Sequence, residues 1–478
     1  MLPDVVVAAT PAAVPARPTH ASLGLAACTA IVVGNMVGSG FYLSPSAVAP
    51  YGQLAILAWV VMGGGAVCLG LTFARLARLA PATGGPYAYT RLAYGDFAGF
   101  LVAWGYWISI WASLPVIAVA FTGSFVKLAP AFDGSRPLAI AITLGAIWLV
   151  TLLNLRGVKE AGLFAEVTTY TKLVPFAAIS ILGLIFVRFD NLSAFNPSGK
   201  SLFESSAALA PLTMFAYLGL ESATVPAGDV ENAERTIPRS TMLGISVAGL
   251  LYVLGTIVVM GVVPREQLVA SHAPFADAAR LMWGSWAATV VAIAVMISSL
   301  GALNGWTLMM GQVPMAAAQD RIFPALFGRV SPRGVPGIGI VISSALATAL
   351  VLVGASGGSK FASVYDMIVS LSTMAAVIPY VFCALAPVLI AMRARRGAAA
   401  PRTTVVEIVA FLFSMFVLYG CGPTPVLYGL VLLLCGLPVY VWQRATLLAA
   451  EPVSDDNADS TTGRYARRRP SRASRPRR

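Results

Sequence analysis

Apolar residues fill most of the chain in membrane-length segments, and short loops between these segments carry most of the charged residues. A stretch of about 20 apolar residues is long enough to cross a bilayer as an α-helix. The stretches 52–74, 240–262 and 424–443 are the clearest. The pattern predicts an all-α polytopic membrane protein with twelve transmembrane helices. Their predicted centres lie near Val33, Met62, Ser109, Ala146, Pro175, Phe215, Leu251, Val295, Val341, Met374, Phe411 and Leu432.

The first apolar segment is interrupted at its middle by the sequence GNMVGSG, residues 34–40. Glycine loses the most backbone freedom on ordering, so three glycines in this run weaken a helix. An unwound backbone at membrane depth is tolerated only where protein or a water-filled cavity satisfies its polar groups. We therefore predict a binding site here, formed by free carbonyl groups on one half-helix and the positive N terminus of the other.

The sixth segment contains a second interruption, FAYLGLES at residues 215–222, which again combines glycine with polar residues. Interrupted helices at corresponding positions of two halves indicate an inverted-repeat transporter. The predicted fold is thus a 5+5 inverted repeat with helices 1 and 6 unwound, plus two extra helices. The predicted parts are a cytoplasmic N-terminal segment (1–21), a first repeat (22–200), a second repeat (201–395), the last two helices (396–445) and a disordered arginine-rich tail (446–478).

Glu221 and Lys172 are the clearest ionisable residues inside predicted spans, and such residues are functional candidates because their burial is costly. Glu221 is predicted to act in gating or proton sensing; the alternative is that it only fastens two helices. Lys172 either snorkels toward the cytoplasmic surface or is buried, and burial can lower a lysine pKa into the working range. Both residues are therefore candidates for proton coupling.

Composition and charge support this topology. The chain is 58% hydrophobic and 11% charged, against about 25% charged residues in soluble domains. The predicted loops on the N-terminal side carry fourteen lysines and arginines, and the opposite loops carry seven. This positive-inside bias places both termini in the cytoplasm. The basic tail contributes to the net charge of +12, and we expect it to contact anionic lipid rather than nucleic acid.

Several classes of function are disfavoured by what the sequence lacks. It has no phosphate-binding Gly-x-x-x-x-Gly-Lys-Ser/Thr motif. His20 and His272 lie far apart and outside the spans, so we predict no metal site and no cofactor. No span carries paired acids or a Ser/His constellation, which argues against an enzyme. A membrane receptor or membrane-embedded enzyme remains a remote alternative.

Five motifs occur in one order and spacing that resemble a known family. They are residues 34–41, the sequence TGGPYAY at 83–89, residues 215–222, Gly305-Trp306 and the sequence IPY at 378–380. Together they resemble the amino acid–polyamine–organocation (APC) transporters, specifically the basic amino acid/polyamine antiporters and, within them, the bacterial arginine/agmatine antiporters. The resemblance covers residues 22–443. It implies a bacterial inner-membrane protein, amino acid and amine substrates, and a homodimer with one pathway in each protomer.

The resemblance also implies roles for individual residues. The substrate carboxylate would bind at Gly38, Ser39 and the backbone N–H of Gly40. The substrate ammonium would bind carbonyl groups of Met36, Phe215 and Leu218.

By the same resemblance, a cationic side chain would lie between the rings of Phe215 and Trp306. The carbonyls of Ser109 and Ile110, with Ser372 and Leu114, would surround its far end. Tyr106, Glu221 and Tyr380 would close the site toward the inside, and Phe215 would form the outer lid.

Three positions depart from the arginine-type pattern. Leu114 replaces an asparagine that bonds the guanidinium, Phe215 replaces a stacking tryptophan, and Lys172 replaces a small neutral residue. The sequence therefore predicts an antiporter that exchanges a basic amino acid of the arginine type for its decarboxylated amine of the agmatine type by alternating access. The alternative is a proton-coupled amino acid symporter that uses Lys172.

Overall fold

The computed structural model describes most of the chain, and its regular elements in that part are helical. One isolated bridge joins Leu23 to Val230. The residues described are 23–79, 84–132, 134–157, 168, 173–192, 194–225, 227, 230–356, 361–394 and 405–450. Lys172, the N-terminal segment 1–21 and the tail beyond residue 450 lie outside them.

The described part of the chain forms eighteen α-helices, numbered in chain order. They are α1 (Leu25–Met36), α2 (Ser39–Tyr42), α3 (Ser44–Val48), α4 (Leu54–Leu79), α5 (Pro86–Tyr94), α6 (Asp96–Leu128), α7 (Arg136–Arg156), α8 (Leu173–Phe186, ending in a 3-10 turn), α9 (Leu202–Tyr217), α10 (Ala233–Val262), α11 (Arg265–Val269), α12 (Pro274–Trp283), α13 (Ser285–Gln319), α14 (Gly337–Ser356), α15 (Phe361–Ala394), α16 (Val405–Gly420), α17 (Pro423–Leu434) and α18 (Gly436–Ala450).

Eight helical stretches within the described residues are long and apolar enough to cross a membrane. They are α4, α6, α7, α10, α13, α14, most of α15 and the run through α17 and α18. Three shorter apolar helices accompany them, namely α1, α8 and α16. The prediction of an all-α membrane protein is confirmed at this level.

The first interruption is shorter than the sequence suggested. Helix α1 continues through Gly34 and ends at Met36, and α2 begins at Ser39. Only Val37 and Gly38 lie between the two helices. The Val37 N–H still bonds the Val33 carbonyl at 2.8 Å. The break between α1 and α2 is therefore confined to the peptide units next to Gly38.

The second interruption follows α9. A capping box starts this helix, because the Ser201 hydroxyl accepts from the Glu204 N–H and the Glu204 carboxylate accepts from the Ser201 N–H. The helix ends at Tyr217, and Leu218 is extended. Gly219 then takes a φ of 97°, a left-handed conformation that glycine adopts without strain. Residues 218–221 form the turn that separates α9 from a short 3-10 helix at Ser222–Thr224.

Helix α6 lies at the centre of the molecule, because it packs against α13 on one side and α15 on another. Its residues from Tyr106 to Ala118 are buried without a break. By contrast, α17 and α18 expose large apolar side chains such as Leu427 and Trp442, as expected for lipid-facing helices. The interior is therefore organised around α6.

Polar side chains join α6, α7, α13 and α14 across their interfaces. Lipid offers no alternative partner for these groups, and each such bond contributes about 0.6 kcal/mol on average. We call these five bonds the polar cross-links. They are Thr122–Thr143 (2.8 Å), Trp107–Ser343 (2.7 Å), Thr151–Ser344 (2.7 Å), Trp148–Thr348 (3.1 Å) and Asn154–Asn304 (2.9 Å).

Helix α16, which lies outside the predicted repeat, packs against α4 and α9. Arg75 of α4 forms an ion pair with Glu407, whose carboxylate is buried. The Phe413 ring lies so close to Gly65 that a Cβ there would come within 2.2 Å of it. Helix α16 therefore fastens α4 from outside.

Candidate functional site

The two interruptions lie against each other. A Cβ on Gly40, in α2, would come within 2.7 Å of the Phe215 ring and 3.2 Å of the Ala216 Cα. A Cβ on Gly219 would come within 3.0 Å of the Asn35 Cβ. The absence of side chains at these two glycines is therefore what allows the α1–α2 break and the α9 break to meet.

Helix α13 forms the third wall of this region. A Cβ on Gly38 would lie 3.2 Å from the Ala302 Cβ, and a Cβ on Gly305 would lie 2.5 Å from the Asn35 Oδ1. The Asn35 amide also lies 3.6 Å from the Met309 sulfur. Trp306 is buried within this stretch of α13. The structure thus brings the predicted residues of α1, α9 and α13 to one place.

Helix ends give this place its electrostatic character. Helices α1 and α9 both terminate here with their C-terminal ends, at Met36 and Tyr217. The last carbonyl groups of a helix carry partial negative charge. The region can therefore stabilise a cation. The backbone of Ser39 opens α2, and its side chain lies outside the described part of the structure.

Three side chains form a buried, hydrogen-bonded group at one end of this region, and we call them the tyrosine layer. The Tyr106 hydroxyl donates to Oε1 of Glu221 and the Tyr380 hydroxyl donates to Oε2, both at 2.5 Å. All three residues are fully buried. Glu221 stands at the end of the α9 break, so its carboxylate links that break to α6 and α15 at once.

Helix α5 covers the same end from outside. The Gly84 N–H bonds the Val225 carbonyl at 3.3 Å, which ties the start of α5 to the segment after Glu221. Arg91 forms ion pairs with Asp96 at 2.9 Å and Asp320 at 3.1 Å. Two successive sets of polar contacts therefore lie at this end.

A serine cluster lies one turn along α6 from Tyr106. The Ser113 and Ser372 hydroxyls both lie within hydrogen-bond distance of the Ser109 carbonyl, at 2.7 Å and 3.0 Å. They also lie 2.6 Å from each other, so one hydroxyl donates to the Ser109 carbonyl and the other donates to its serine partner or to that carbonyl. The predicted residues Ser109 and Ser372 do meet, and the Ser109 carbonyl already has a hydroxyl donor. Ile110 and Leu114 are fully buried beside them.

Two residues of this region were not singled out from the sequence. Ser113 carries a signal, because it stands one helical turn after Ser109 and before Leu114 on α6. Asn35 lies inside the GNMVGSG motif, yet only its contacts with Gly219, Gly305 and Met309 distinguish it.

A cavity of about 520 Å³ lies beyond the serine cluster, on the side away from the tyrosine layer. Its inner end includes Pro115, which follows Leu114, and Ile368, one turn before Ser372. Its far end includes Arg136 at the start of α7. We call it the α6–α7 cavity. Its walls are mostly apolar, and its volume lies within the range of small-molecule sites.

Comparison with known proteins agrees with this geometry. Residues 23–431 match the family model described as amino acid permease. The putrescine transporter PotE of Haemophilus influenzae is 30% identical over 424 residues, covering 87% of this chain and 96% of the relative. The cadaverine/lysine antiporter of Escherichia coli K12 is 32% identical over 373 residues, covering 75% and 82%. The putrescine transporter PotE of Escherichia coli K12 is 28% identical over 428 residues, covering 87% and 95%.

The family match covers most of the chain, including both helix breaks, α6 and α13. The relatives carry the names of transporters, and none is named as an enzyme. This chain therefore belongs to the amino acid permease family, among the basic amino acid/polyamine antiporters of the APC superfamily, and it is a transporter rather than an enzyme.

Proposed function

We propose that this chain is a secondary-active antiporter of the bacterial inner membrane that exchanges a basic amino acid for its decarboxylated amine by alternating access. The observation that carries the proposal is the meeting of the two helix breaks at Gly40 and Phe215, with α13 packed against α1 and α2. The names of the relatives, which include a cadaverine/lysine antiporter, support the same class of exchange.

The proposed topology has twelve spans arranged as a 5+5 inverted repeat with two further helices. The breaks at 37–38 and 218–221 fall in the first and sixth spans, and α16 to α18 lie outside the repeat. Both termini lie in the cytoplasm, and the chain forms a homodimer. The tyrosine layer then faces the cytoplasm and the α6–α7 cavity faces outward.

The substrate ammonium is proposed to bind at the C-terminal ends of α1 and α9, through carbonyl groups of Met36, Phe215 and Leu218. The signs of the helix dipoles favour this placement. The carboxylate would bind near Gly38, Ser39 and the Gly40 N–H.

The cationic side chain would extend between Phe215 and Trp306 toward Ser109, Ile110 and Ser372. A cation over an aromatic ring contributes about 0.5–2 kcal/mol.

The far end of the pocket favours an ammonium over a guanidinium. A guanidinium offers five N–H donors, whereas an ammonium offers three. Leu114 provides no acceptor, and the Ser109 carbonyl already accepts a hydroxyl from the Ser113–Ser372 pair. We therefore rank lysine with cadaverine, or another linear diamine such as putrescine, ahead of arginine with agmatine.

Alternating access requires that the tyrosine layer open. While Glu221 accepts from Tyr106 and Tyr380, substrate cannot leave on that side. Rotation of the segments after the two breaks would separate these groups and admit substrate from the cytoplasm. Phe215 would act as the lid on the opposite side, above the Gly40 backbone.

A second candidate is proton-coupled symport with Lys172 as the proton carrier. The observation that favours it is a lysine within the fifth predicted span. Uptake by Lys172→Ala under an imposed pH gradient separates the two. If uptake by the wild type responds to the gradient and uptake by the variant does not, the result supports proton symport through Lys172. If neither responds, the symport hypothesis fails.

The test of exchange is counter-flow in proteoliposomes. Vesicles are loaded with cadaverine, putrescine, agmatine, lysine, arginine or a neutral amino acid, and uptake of labelled lysine and labelled arginine is followed. The proposal expects lysine uptake that depends on internal diamine or lysine. Uptake that is independent of any internal substrate would overturn it.

Trp306→Ala should abolish most of this exchange. A matched control is Trp286→Ala, because Trp286 is exposed at the start of the same helix. Equal loss in both variants would point to misfolding rather than to loss of a substrate contact.

A further inference from the structure

The α6–α7 cavity has an elongated wall along one face of α6. Pro115, Val119, Thr122 and Val126 line it, and they span about 16 Å at 1.5 Å per residue. Its inner end stops at Pro115 and Ile368, which lie two residues and one turn from the serine cluster along α6 and α15, and its outer end reaches the start of α7. The cavity therefore runs along α6 toward the proposed binding site, with the buried Leu114 between them.

Charge is distributed unevenly along this approach. The described lining residues include one guanidinium, Arg136, and one imidazole, His272, and no carboxylate. Arg136 donates to the Ala355 carbonyl at the end of α14, so its guanidinium is held at the cavity mouth. The hydroxyls of Thr122 and Thr143 bond each other, which leaves the wall between mouth and site largely apolar.

The two proposed substrates differ in what they can do at this mouth. An amino acid carries a carboxylate, which pairs with a guanidinium through charge-assisted hydrogen bonds. Its decarboxylated amine has lost that group and carries only positive charge. A positive mouth therefore attracts one end of the amino acid and repels the amine.

We propose that the α6–α7 cavity is a low-affinity entry site, in which Arg136 binds the carboxylate of the incoming amino acid before the substrate reaches the site between the helix breaks. This inference rests on the proposed function. It favours capture of the amino acid over the amine at the outer mouth, while the substrate gradients still set the direction of net exchange.

The first test measures exchange kinetics from the cavity side for Arg136→Gln in proteoliposomes of known orientation. The KM for external amino acid should rise about 1.5- to fivefold, the range for an exposed charge pair. The maximal rate should be unchanged. The KM for external diamine should stay the same or fall.

Two further variants separate charge from structure. Arg136→Lys keeps the charge and should restore most of the amino acid KM. Lys200→Gln removes an exposed charge outside the cavity lining and should leave both KM values unchanged. The melting temperature of each variant reports whether loss of the Ala355 contact loosens the α7–α14 contact.

A cavity-filling variant, Ala139→Phe, tests the route itself. Ala139 lines the cavity wall on α7, so the added ring should lower amino acid uptake while Arg136 remains in place.

An unchanged amino acid KM in Arg136→Gln would overturn the entry site while leaving the exchanger intact, provided that wild-type counter-flow is normal. Equal increases in KM for amino acid and diamine would also overturn it, since a carboxylate contact affects one substrate only. Absence of counter-flow in the wild type would overturn the proposed function and the entry site together.

Discussion

The two ends of the candidate site are built from different kinds of contact, although α6 and α15 contribute to both. At one end, Tyr106, Glu221 and Tyr380 form directional hydrogen bonds within a fully buried layer. At the other end, the same two helices line a largely apolar cavity of about 520 Å³. The comparison teaches that specific polar partners join the helices at one end, whereas at the other end the helices leave an apolar cavity that stops at Pro115 and Ile368, short of the serine cluster.

Removing the carboxylate of Glu221 should have the largest effect, because it removes the polar partners that distinguish one end of the site from the other. In Glu221→Ala two buried tyrosine hydroxyls lose their acceptor, at about 1–3 kcal/mol each. The closed tyrosine layer should be lost, and counter-flow should fall at least about tenfold. Glu221→Gln keeps a side-chain oxygen for one hydroxyl and should retain more activity. Wild-type rates in Glu221→Ala would show that the layer plays no part in closure.

The meeting of the helix breaks can be disrupted at Gly40. Gly40→Val places a Cβ within 2.7 Å of the Phe215 ring and 3.2 Å of the Ala216 backbone, and overpacking of this kind costs about 1–3 kcal/mol. Counter-flow should decrease severalfold, with a smaller change in melting temperature.

Gly145→Ala is the control for this substitution, because a Cβ there meets nothing within 4 Å. If Gly40→Val transports as well as Gly145→Ala, the two breaks do not need their close approach for transport.

Breaking the ion pair between α4 and α16 should affect exchange less and should mainly lower the stability of the fold. Arg75→Leu removes the cation beside the buried Glu407 carboxylate. Because Arg75 is about one third exposed, we expect a loss of stability of about 2 kcal/mol, below the range for a fully buried pair.

Thermal unfolding in detergent measures this loss, and the double variant Arg75→Leu with Glu407→Leu should recover part of it. A double variant less stable than the single one would mean that Glu407 acts through contacts other than Arg75.

The smallest expected effect sharpens the substrate assignment. Ser113→Ala removes the hydroxyl that bonds Ser372 and competes with it for the Ser109 carbonyl, a change worth about 1 kcal/mol, and it frees the Ser372 oxygen as an acceptor. The freed acceptor should improve transport of arginine relative to lysine by up to about fivefold. Competition between the two labelled amino acids in counter-flow gives this ratio directly. A ratio that moves toward lysine would contradict the proposed role of the serine cluster.

The sequence located both helix breaks to within a few residues, because glycine and polar residues inside an apolar segment are a local signal. It could not place their ends, since Gly34 and Phe215 remain helical in the packed structure. The sequence singled out Glu221 because burying a carboxylate in a membrane is costly, whereas its partners Tyr106 and Tyr380 were identified only by the family resemblance. The contacts of Ser113 and the α6–α7 cavity arise from the packing of α6, α7 and α15 against one another. The sequence of a single segment therefore could not predict them.

The polar cross-links among α6, α7, α13 and α14 have a mechanical consequence. Five interhelical bonds, including the buried Asn154–Asn304 pair, hold this block together, while the segments at Val37–Gly38 and 218–221 lie between helices rather than within them. Bending of the backbone is then concentrated in these two short segments. The cross-linked helices would move as one rigid body, and the rate of transport would depend on bending of the six residues 37–38 and 218–221 rather than on deformation of the whole bundle.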